Sequence, residues 1–299
     1  MAAAVQRALA RFITLARMIQ VVRHADVHAF LARAKPWLLR HEERYGLLYG
    51  VANQVRSGAH HYKPAIFWAT VEESDAEGGP ALLGCAFRTP PHQMGLTELP
   101  DAAIAPLVAR VHEAYPSVPG VGGPERTATA FAKTWVARAG GAWSVHNRQR
   151  LHTLTSVRFP SAPAPGALRP ALLADVPVAR AWMAGFIRDA GVRHLSADTA
   201  ERLIKAQRLY LWVDGEPRCM LGAVRDTPHT TGIGAVYTPP QFRNRGYASV
   251  AVATLSRQLL DAGRRSCFLY ADLANPVSTA IYRRIGYEPA YDVVDIAIV

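Results

Sequence analysis

The sequence predicts an α/β fold, a mixed sheet with helices packed on it, on three observations. Apolar strand-like runs and amphipathic helical segments alternate through the second half of the chain. Asp214-Gly215 separates two of those runs, which is a strong hairpin signal. Residues 236–249, VYTPPQFRNRGYAS, join a strand end, a turn and a helix start in one stretch.

Taken in chain order, MAAAVQRALARFITLARMIQVVR has no acidic residue before Asp26 and reads as an amphipathic surface helix. The same composition is compatible with a mitochondrial-type leader, and Met18 offers an internal start that would make 1–17 an optional extension. Asp26 to Arg44 reads as a helix bent or divided at Pro36, and Leu47 to Ser57 as a second amphipathic piece. AIFWATV and ALLGCAFRT read as a hairpin around an acidic, glycine-rich loop. Ala102 to Ala114 is a helix, and GVGGPERTA reads as a glycine turn with a helix cap at Pro124 to Thr127. LHTLTSV, residues 151–157, resembles a closing strand. His60-His61-Tyr62 lacks a third ligand at metal spacing, so a surface loop is expected and no metal.

FPSAPAPGALRP, residues 159–170, is the clearest linker, and a strand is expected at Gly166 to Leu168. Leu172 to Ala190 follows as a helix with Asp175 as N-cap, Pro177 in the first turn and Gly191 as the stop. Trp182 and Phe186 lie four apart on it and are expected in the core. After a shorter helix from Asp198, LYLWV, RCMLGAVR and TTGIGAVYT form an antiparallel meander with a second turn at Asp226 to His229. Ala248 to Leu260 is helical, Ser266 to Asp272 is a short buried strand, and a last helix begins after Asn275-Pro276.

Composition bounds the reading. A chain of 299 residues with 50% hydrophobic and 19% charged content suits two ordinary globular domains. Cys85, Cys219 and Cys267 are far apart and form no C-x-x-C pair, which suggests neither zinc nor a disulfide framework and fits a reducing cytoplasm. No apolar run reaches membrane-spanning length, so no membrane role is expected. The net charge of +11 favours an anionic partner, either nucleic acid or an anionic cofactor; the arginines are scattered, not blocked, which disfavours nucleic acid.

The 236–249 stretch supplies a place for such an anion. A helix beginning near Gly246 leaves its first N–H groups unpaired and carries partial positive charge there, so a diphosphate can dock on the backbone. Gly246 permits close approach, and Arg243 and Arg245 add charge. A glycine between basic residues before a helix is also common without any ligand.

Arg243, Asn244, Arg245, Gly246, Tyr247 and Ala248 resemble the R/Q-x-x-G-x-G/A cofactor loop of the GNAT acetyltransferase superfamily. Asn275, Tyr282 and Gly286-Tyr287 follow in that family's order and spacing. The resemblance covers roughly 167–299 and implies a GNAT-like acyltransferase fold over those residues, with 159–166 as linker. Residues 1–158 would then be a degenerate GNAT-like copy in tandem, or an accessory domain, without a cofactor loop of its own.

The resemblance further implies acetyl-CoA as co-substrate and a small-molecule or peptide amine as acceptor, attacked directly on the thioester. Val236, Tyr237 and Thr238 match the strand that holds the pantetheine arm, and Arg243, Asn244, Arg245, Gly246, Tyr247, Ala248 and Ser249 match the diphosphate seat. Asn275 matches the Asn that bonds the pantetheine arm, and Tyr282 the general acid for the leaving thiolate. Each has a simpler reading, Asn275 as a helix N-cap and Tyr282 as core. Residues 230–238 hold no carboxylate, so Asp226, His229, Asp272 or a water chain stand as candidate bases. A non-catalytic acyl-CoA-binding module and a basic nucleic-acid binder are the competing functional classes, the latter predicting steeply salt-dependent affinity.

Overall fold

The computed structural model describes residues 18–58, 66–74, 80–192 and 195–299. Its elements run β1 (Met18–Arg23), α1 (Val27–Leu38), α2 (Glu42–Arg56), β2 (Phe67–Ser74), β3 (Ala81–Arg88), β4 (Met94–Leu96), α3 (Ile104–Ala114), β5 (Gly120–Pro124), α4 (Glu125–Ala139) and β6 (Trp143–Leu154). After the proline-rich segment come β7 (Ala167–Pro170), α5 (Val176–Asp189), α6 (Asp198–Lys205), β8 (Leu209–Asp214), β9 (Glu216–Val224), β10 (Thr230–Tyr237), α7 (Tyr247–Asp261), β11 (Ser266–Asp272), α8 (Pro276–Ile285) and β12 (Glu288–Ile298).

The chain forms two compact units that trade segments. The first joins residues up to Arg40 to Val51–Asn147 and Val293–Val299; the second joins His41–Gly50 to Arg148–Asp292. The expected division at the 159–166 linker is therefore replaced by an interleaved one. Strand pairing gives the reason: residues 293–297 of β12 pair antiparallel with β5, and residues 149–154 of β6 pair antiparallel with β11. Each unit's last strand comes from the other half of the sequence.

Both units have the same strand pattern. In the first, β1, β2, β3 and β4 are successively antiparallel, β4 is parallel to β5, and β5 meets β12. In the second, β7, β8, β9 and β10 are successively antiparallel, β10 is parallel to β11, and β11 meets β6. One helix, α3 or α7, makes the crossover inside each parallel pair, as parallel strands require.

The first unit buries Phe67, Met94, Leu107, Phe131 and Trp135 around its sheet. In the second, alternate strand residues point to two faces. Cys219, Leu221, Ile233, Cys267 and Leu269 face α7 and α8, and Leu209, Leu211, Met220, Ala235 and Tyr237 face α5 and α6. Burying one such side chain stabilises by about 1.5–3 kcal/mol, so the second sheet is held from both sides.

Several local expectations change. Residues 18–23, expected in a helix, form β1, because a β-branched run beside Val71 and Thr70 gains a full ladder with β2. The expected glycine turn at 120–124 is strand β5, whose glycines lie against the backbone of Ile296 and Leu96 where a Cβ would not fit. Helix α1 ends at Leu38, not Arg44, and a 3₁₀ turn over Leu39–His41 precedes α2. The strand expected at 151–157 ends at Leu154 and begins at Trp143. Asp175 stands at the N-cap of α5 as expected, but its side chain makes no capping bond there; its carboxylate takes Arg169 at 2.7 and 2.9 Å and the Leu172 N–H at 2.7 Å. His60-His61-Tyr62 and residues 1–17 lie outside the described residues.

Candidate functional site

The second unit opens where its two parallel strands separate. β10 and β11 pair only at Thr230↔Ser266, Thr231↔Cys267 and Gly232↔Phe268. Beyond Gly232 the two strands are not paired, and residues 233–237 of β10 have no partner on that side. A register shift between Gly234 and Tyr237, with Ala235 at φ 50, bends β10 as it enters the opening. Backbone N–H and C=O groups that a continuous sheet would consume are thereby left without a strand partner on that side.

At the end of β10 the chain turns through Pro239-Pro240 and a short 3₁₀ segment into the loop Arg243 to Gly246. Gly246 sits at φ 79 and is the N-cap of α7, a left-handed position that costs other residues about 1–2 kcal/mol. No side chain caps this helix and no acidic residue stands in its first turn. The first backbone bond is from Val250 N–H to the Gly246 carbonyl at 3.1 Å, which leaves the earlier N–H groups aimed out of the helix end. Arg243, Asn244, Arg245 and Gly246 are all exposed.

The surrounding contacts fix this loop. Arg243 Nε donates to the Thr238 carbonyl at 3.0 Å and its guanidinium takes Asp189, at the end of α5, at 2.6 Å. Tyr247 Oη donates to Asp214 at 2.7 Å, tying the first turn of α7 to the β8–β9 hairpin. Arg218 lies over the Phe242 ring at 4.4 Å. Arg245 makes no ion pair among the described residues and remains available.

Tyr282, on α8, is buried beside Tyr287, their ring centroids 6.0 Å apart and near edge-on. Burial, and then the neighbouring Cys219, push its phenol well above the ordinary tyrosine range. Cys219 lies on β9 next to the end of β10, and burial pushes its thiol up to about 12 against weaker opposing bonds from Thr238 and Tyr237. Tyr282 therefore lies in the α7-side core of this unit, close enough to Cys219 to feel its charge.

Residues 213–294 match the family model described as FR47-like protein. An X-ray structure of a Drosophila protein superposes with a TM-score of 0.65 at 14% identity, over 95% of this chain and 99% of that one. An acetyltransferase of the GNAT family from Colwellia psychrerythraea gives 0.57 at 11% identity, over 94% and 100%. A tandem GNAT protein from the clavulanic acid biosynthesis pathway gives 0.50 at 12% identity, over 94% and 98%. The fold is the GNAT fold. No curated protein matches the sequence.

In the GNAT fold of the second unit, the residues expected from the sequence fall as follows. Val236 and Tyr237 end the separated strand and Thr238 follows it; Arg243 through Ser249 form the loop and first turn of α7; Asn275 is the N-cap of α8 and Tyr282 lies on it, all within one unit. Asn275 is engaged as an N-cap, its side chain accepting from Ser278 N–H at 3.0 Å. The Tyr237 ring leads to Gly185 of α5, where any Cβ would stand 2.4 Å from its hydroxyl.

Two of the candidate bases are committed elsewhere. Asp226 bonds Arg208 and Thr231; burial pushes its carboxyl up, but these partners and Arg264 outweigh burial and leave it below the ordinary range. His229 Nδ1 meets Glu42 at 2.6 Å, and the same buried carboxylate takes the His229 N–H at 3.0 Å. That cluster lies at the paired end of β10, away from the opening. Asp272 is at the open end of β11, where one oxygen accepts from Ala274 N–H at 2.8 Å.

Sequence reading missed Arg225 and Tyr270, which meet on the α2 side of the opening with the guanidinium 5.2 Å from the ring centroid. It also missed the start of α2, where Gly46 would put a Cβ 2.7 Å from the Phe268 ring. No local pattern signals these; they depend on residues 41–50 returning to a unit encoded more than a hundred positions later. Among the described residues, no cluster of His, Cys, Asp or Glu could hold a metal, and no helix is long and apolar enough to cross a membrane.

Proposed function

We propose that the second unit is an N-acetyltransferase that moves an acetyl group from acetyl-CoA to a primary amine by direct attack. The observation that carries this is the uncapped N-terminus of α7 behind Gly246 and Arg245, standing at the exit of a strand that has parted from its neighbour. The diphosphate would sit on the N–H groups of Gly246 to Ser249. The pantetheine arm would pair with Val236, Tyr237 and Thr238 in place of the missing strand, with Asn275 at its side.

The bulge at 234–237 frees a β10 N–H to bond the thioester oxygen as it becomes an oxyanion. Pro239 and Pro240 have no N–H, so the donor is upstream of them. The amine nitrogen forms a bond to the thioester carbon, the C–S bond breaks, and the electron pair leaves with sulfur. Tyr282 is the acid that protonates this thiolate. Burial holds its proton tightly, and a thiolate formed beside a buried group would likewise be disfavoured as an anion, so the transfer would remove a charge from an apolar place.

Asp272 takes the proton from nitrogen, being the carboxylate at the open end of β11. That proton returns through water to the Tyr282 oxygen after CoA leaves, closing the cycle. The first unit is a degenerate copy of the same domain that serves as scaffold. Three buried free thiols suit a cytoplasmic location.

The test is thiol release from acetyl-CoA across a panel of amines, with Gly246→Glu as control. Wild-type protein should release thiol with at least one amine, and the variant should not. Turnover that persists in Gly246→Glu would count against this use of the loop.

A further inference from the structure

On the α2 side of the opening, Arg225 has no ion-pair partner among the described residues. Phe268 and Tyr270 point to this face, since Phe268 lies against Gly46 of α2 and the intervening Leu269 belongs to the α7-side core. Arg225 follows the end of β9, and its guanidinium sits over the Tyr270 ring of β11 at 5.2 Å. β10 runs between those two strands, so the arginine reaches across it to the ring.

Arg225 is held there at some expense. It is half-buried, and its backbone has φ 56, a left-handed conformation disfavoured for a side chain of this size. Neighbouring arginines are already matched: Arg208 and Arg264 both meet Asp226, and Arg265 meets Glu43 and Glu42. Among the described residues, no carboxylate reaches Arg225. A stacked guanidinium keeps its planar edge of N–H donors free for a planar bidentate acceptor.

We propose that Arg225 binds a carboxylate on the amine acceptor, so that the acceptors of this unit are α-amino acids or compounds ending in one. This rests on the acetyl-transfer reading above. One unmatched positive charge suits a monoanion better than a phosphate. The spacing also fits: Tyr270 and Asp272 are two residues apart on one face of β11, about 6.6 Å along the strand. A carboxylate bonded at about 2.8 Å to the guanidinium places a nitrogen on the adjacent carbon toward Asp272. Burial, opposed by Arg225, keeps the Tyr270 phenol protonated and able to donate to the same carboxylate. Arg225 is in this view a specificity residue, touching the acceptor but not the reacting atoms.

The experiment uses the full chain and matched acceptors: L-α-amino acids, their α-amides, and O-phosphoethanolamine. In wild-type protein the amino acids should have a KM about tenfold or more below their amides. Arg225→Gln should raise KM for the amino acids about tenfold to hundredfold while leaving kcat, the KM for amides and CoA affinity unchanged. Arg225→Lys, which keeps charge but loses the fork, should fall between. Calorimetric binding of N-acetyl-L-amino acids to the CoA-loaded protein needs no turnover and reads the same site.

Product binding that is lost in Arg225→Gln, in a protein that acetylates nothing, would leave the carboxylate site standing and remove the acetyl-transfer reading. Equal KM for acids and amides, a preference for O-phosphoethanolamine, or unchanged product binding in Arg225→Gln would each overturn the proposal.

Discussion

The two units share a strand order and differ at one turn. In the first, the chain from β4 to α3 reads Thr97-Glu98-Leu99-Pro100-Asp101, with two carboxylates and neither glycine nor arginine. In the second, the matching passage from β10 to α7 carries Arg243, Asn244, Arg245 and a left-handed Gly246. The strands differ too: β4 is three residues long and pairs with β5 at Met94 and Gly95, whereas β10 has eight and pairs with β11 over only three. The shared strand order does not by itself make the proposed cofactor site. The proposed site would need a strand long enough to part from its neighbour and a turn whose charge suits phosphate.

The largest effect that could break this comparison is stoichiometric. Titration with acetyl-CoA should give one equivalent per chain, and Gly246→Glu should abolish it, a loss of at least about a hundredfold in affinity. The variant adds a carboxylate at a helix N-terminus that has no other anion, and it forces a side chain into φ 79. Asp101→Arg in the first unit should create no second site, because β4 offers no separated stretch. Two equivalents bound by wild-type protein would mean that the first unit retains a seat its turn does not reveal.

How much of this was legible in the sequence follows the same division. The meander, the Gly246 loop and the Asn275-Pro276 cap were readable because each depends on a few adjacent residues with strong backbone preferences. Asp214-Gly215 and the left-handed Gly246 are of that kind. β4, only three residues long, was invisible, and β5 looked like a turn because its glycines answer to Ile296 and Leu96, distant in sequence. The exchange of β6 and β12 could not be read either, since a strand's alternation does not say which sheet it joins. Arg225 and Tyr270 were missed for the same reason.

The next largest effects would come from the proposed chemistry of the second unit. Tyr282→Phe should lower kcat by about a hundredfold and leave acetyl-CoA affinity and thermal stability nearly unchanged, because the ring still packs against Tyr287. Asp272→Asn should produce a comparable loss of kcat with acetyl-CoA affinity unchanged. A Tyr282→Phe enzyme with full kcat would return that residue to a packing role.

Stability should respond to the segment lent to the second unit. Glu42 is buried and holds Thr227, His229 and the His229 N–H. Burial pushes its carboxyl up, but these bonds prevail and leave it below the ordinary range. A depressed folded pKa means that the contribution is present above the unfolded value, about 4.3, and is lost as pH falls through the folded one. Glu42→Gln should therefore cost about 1–3 kcal/mol at neutral pH in denaturant melts, and the gap from wild type should narrow on acidification. A constant gap down to the acid limb would show that Glu42 acts by shape alone.

The smallest effect separates the two arginines of the loop. Arg243 is already matched by Asp189 at 2.6 Å, while Arg245 has no ion-pair partner among the described residues, so only the second would bring a net charge to the proposed diphosphate seat. Arg245→Ala should weaken acetyl-CoA binding several-fold in low salt, and the difference should shrink as ionic strength rises and screens an exposed contact. Arg243→Ala should matter less for charge and should act by loosening the bond to the Thr238 carbonyl, an effect that salt does not remove. In the first unit Arg126 is paired with Asp101 at the equivalent helix start, and Arg126→Ala should leave acetyl-CoA binding untouched at any salt concentration. A salt-dependent loss in Arg126→Ala would place part of the cofactor on the wrong unit and undo the contrast between them.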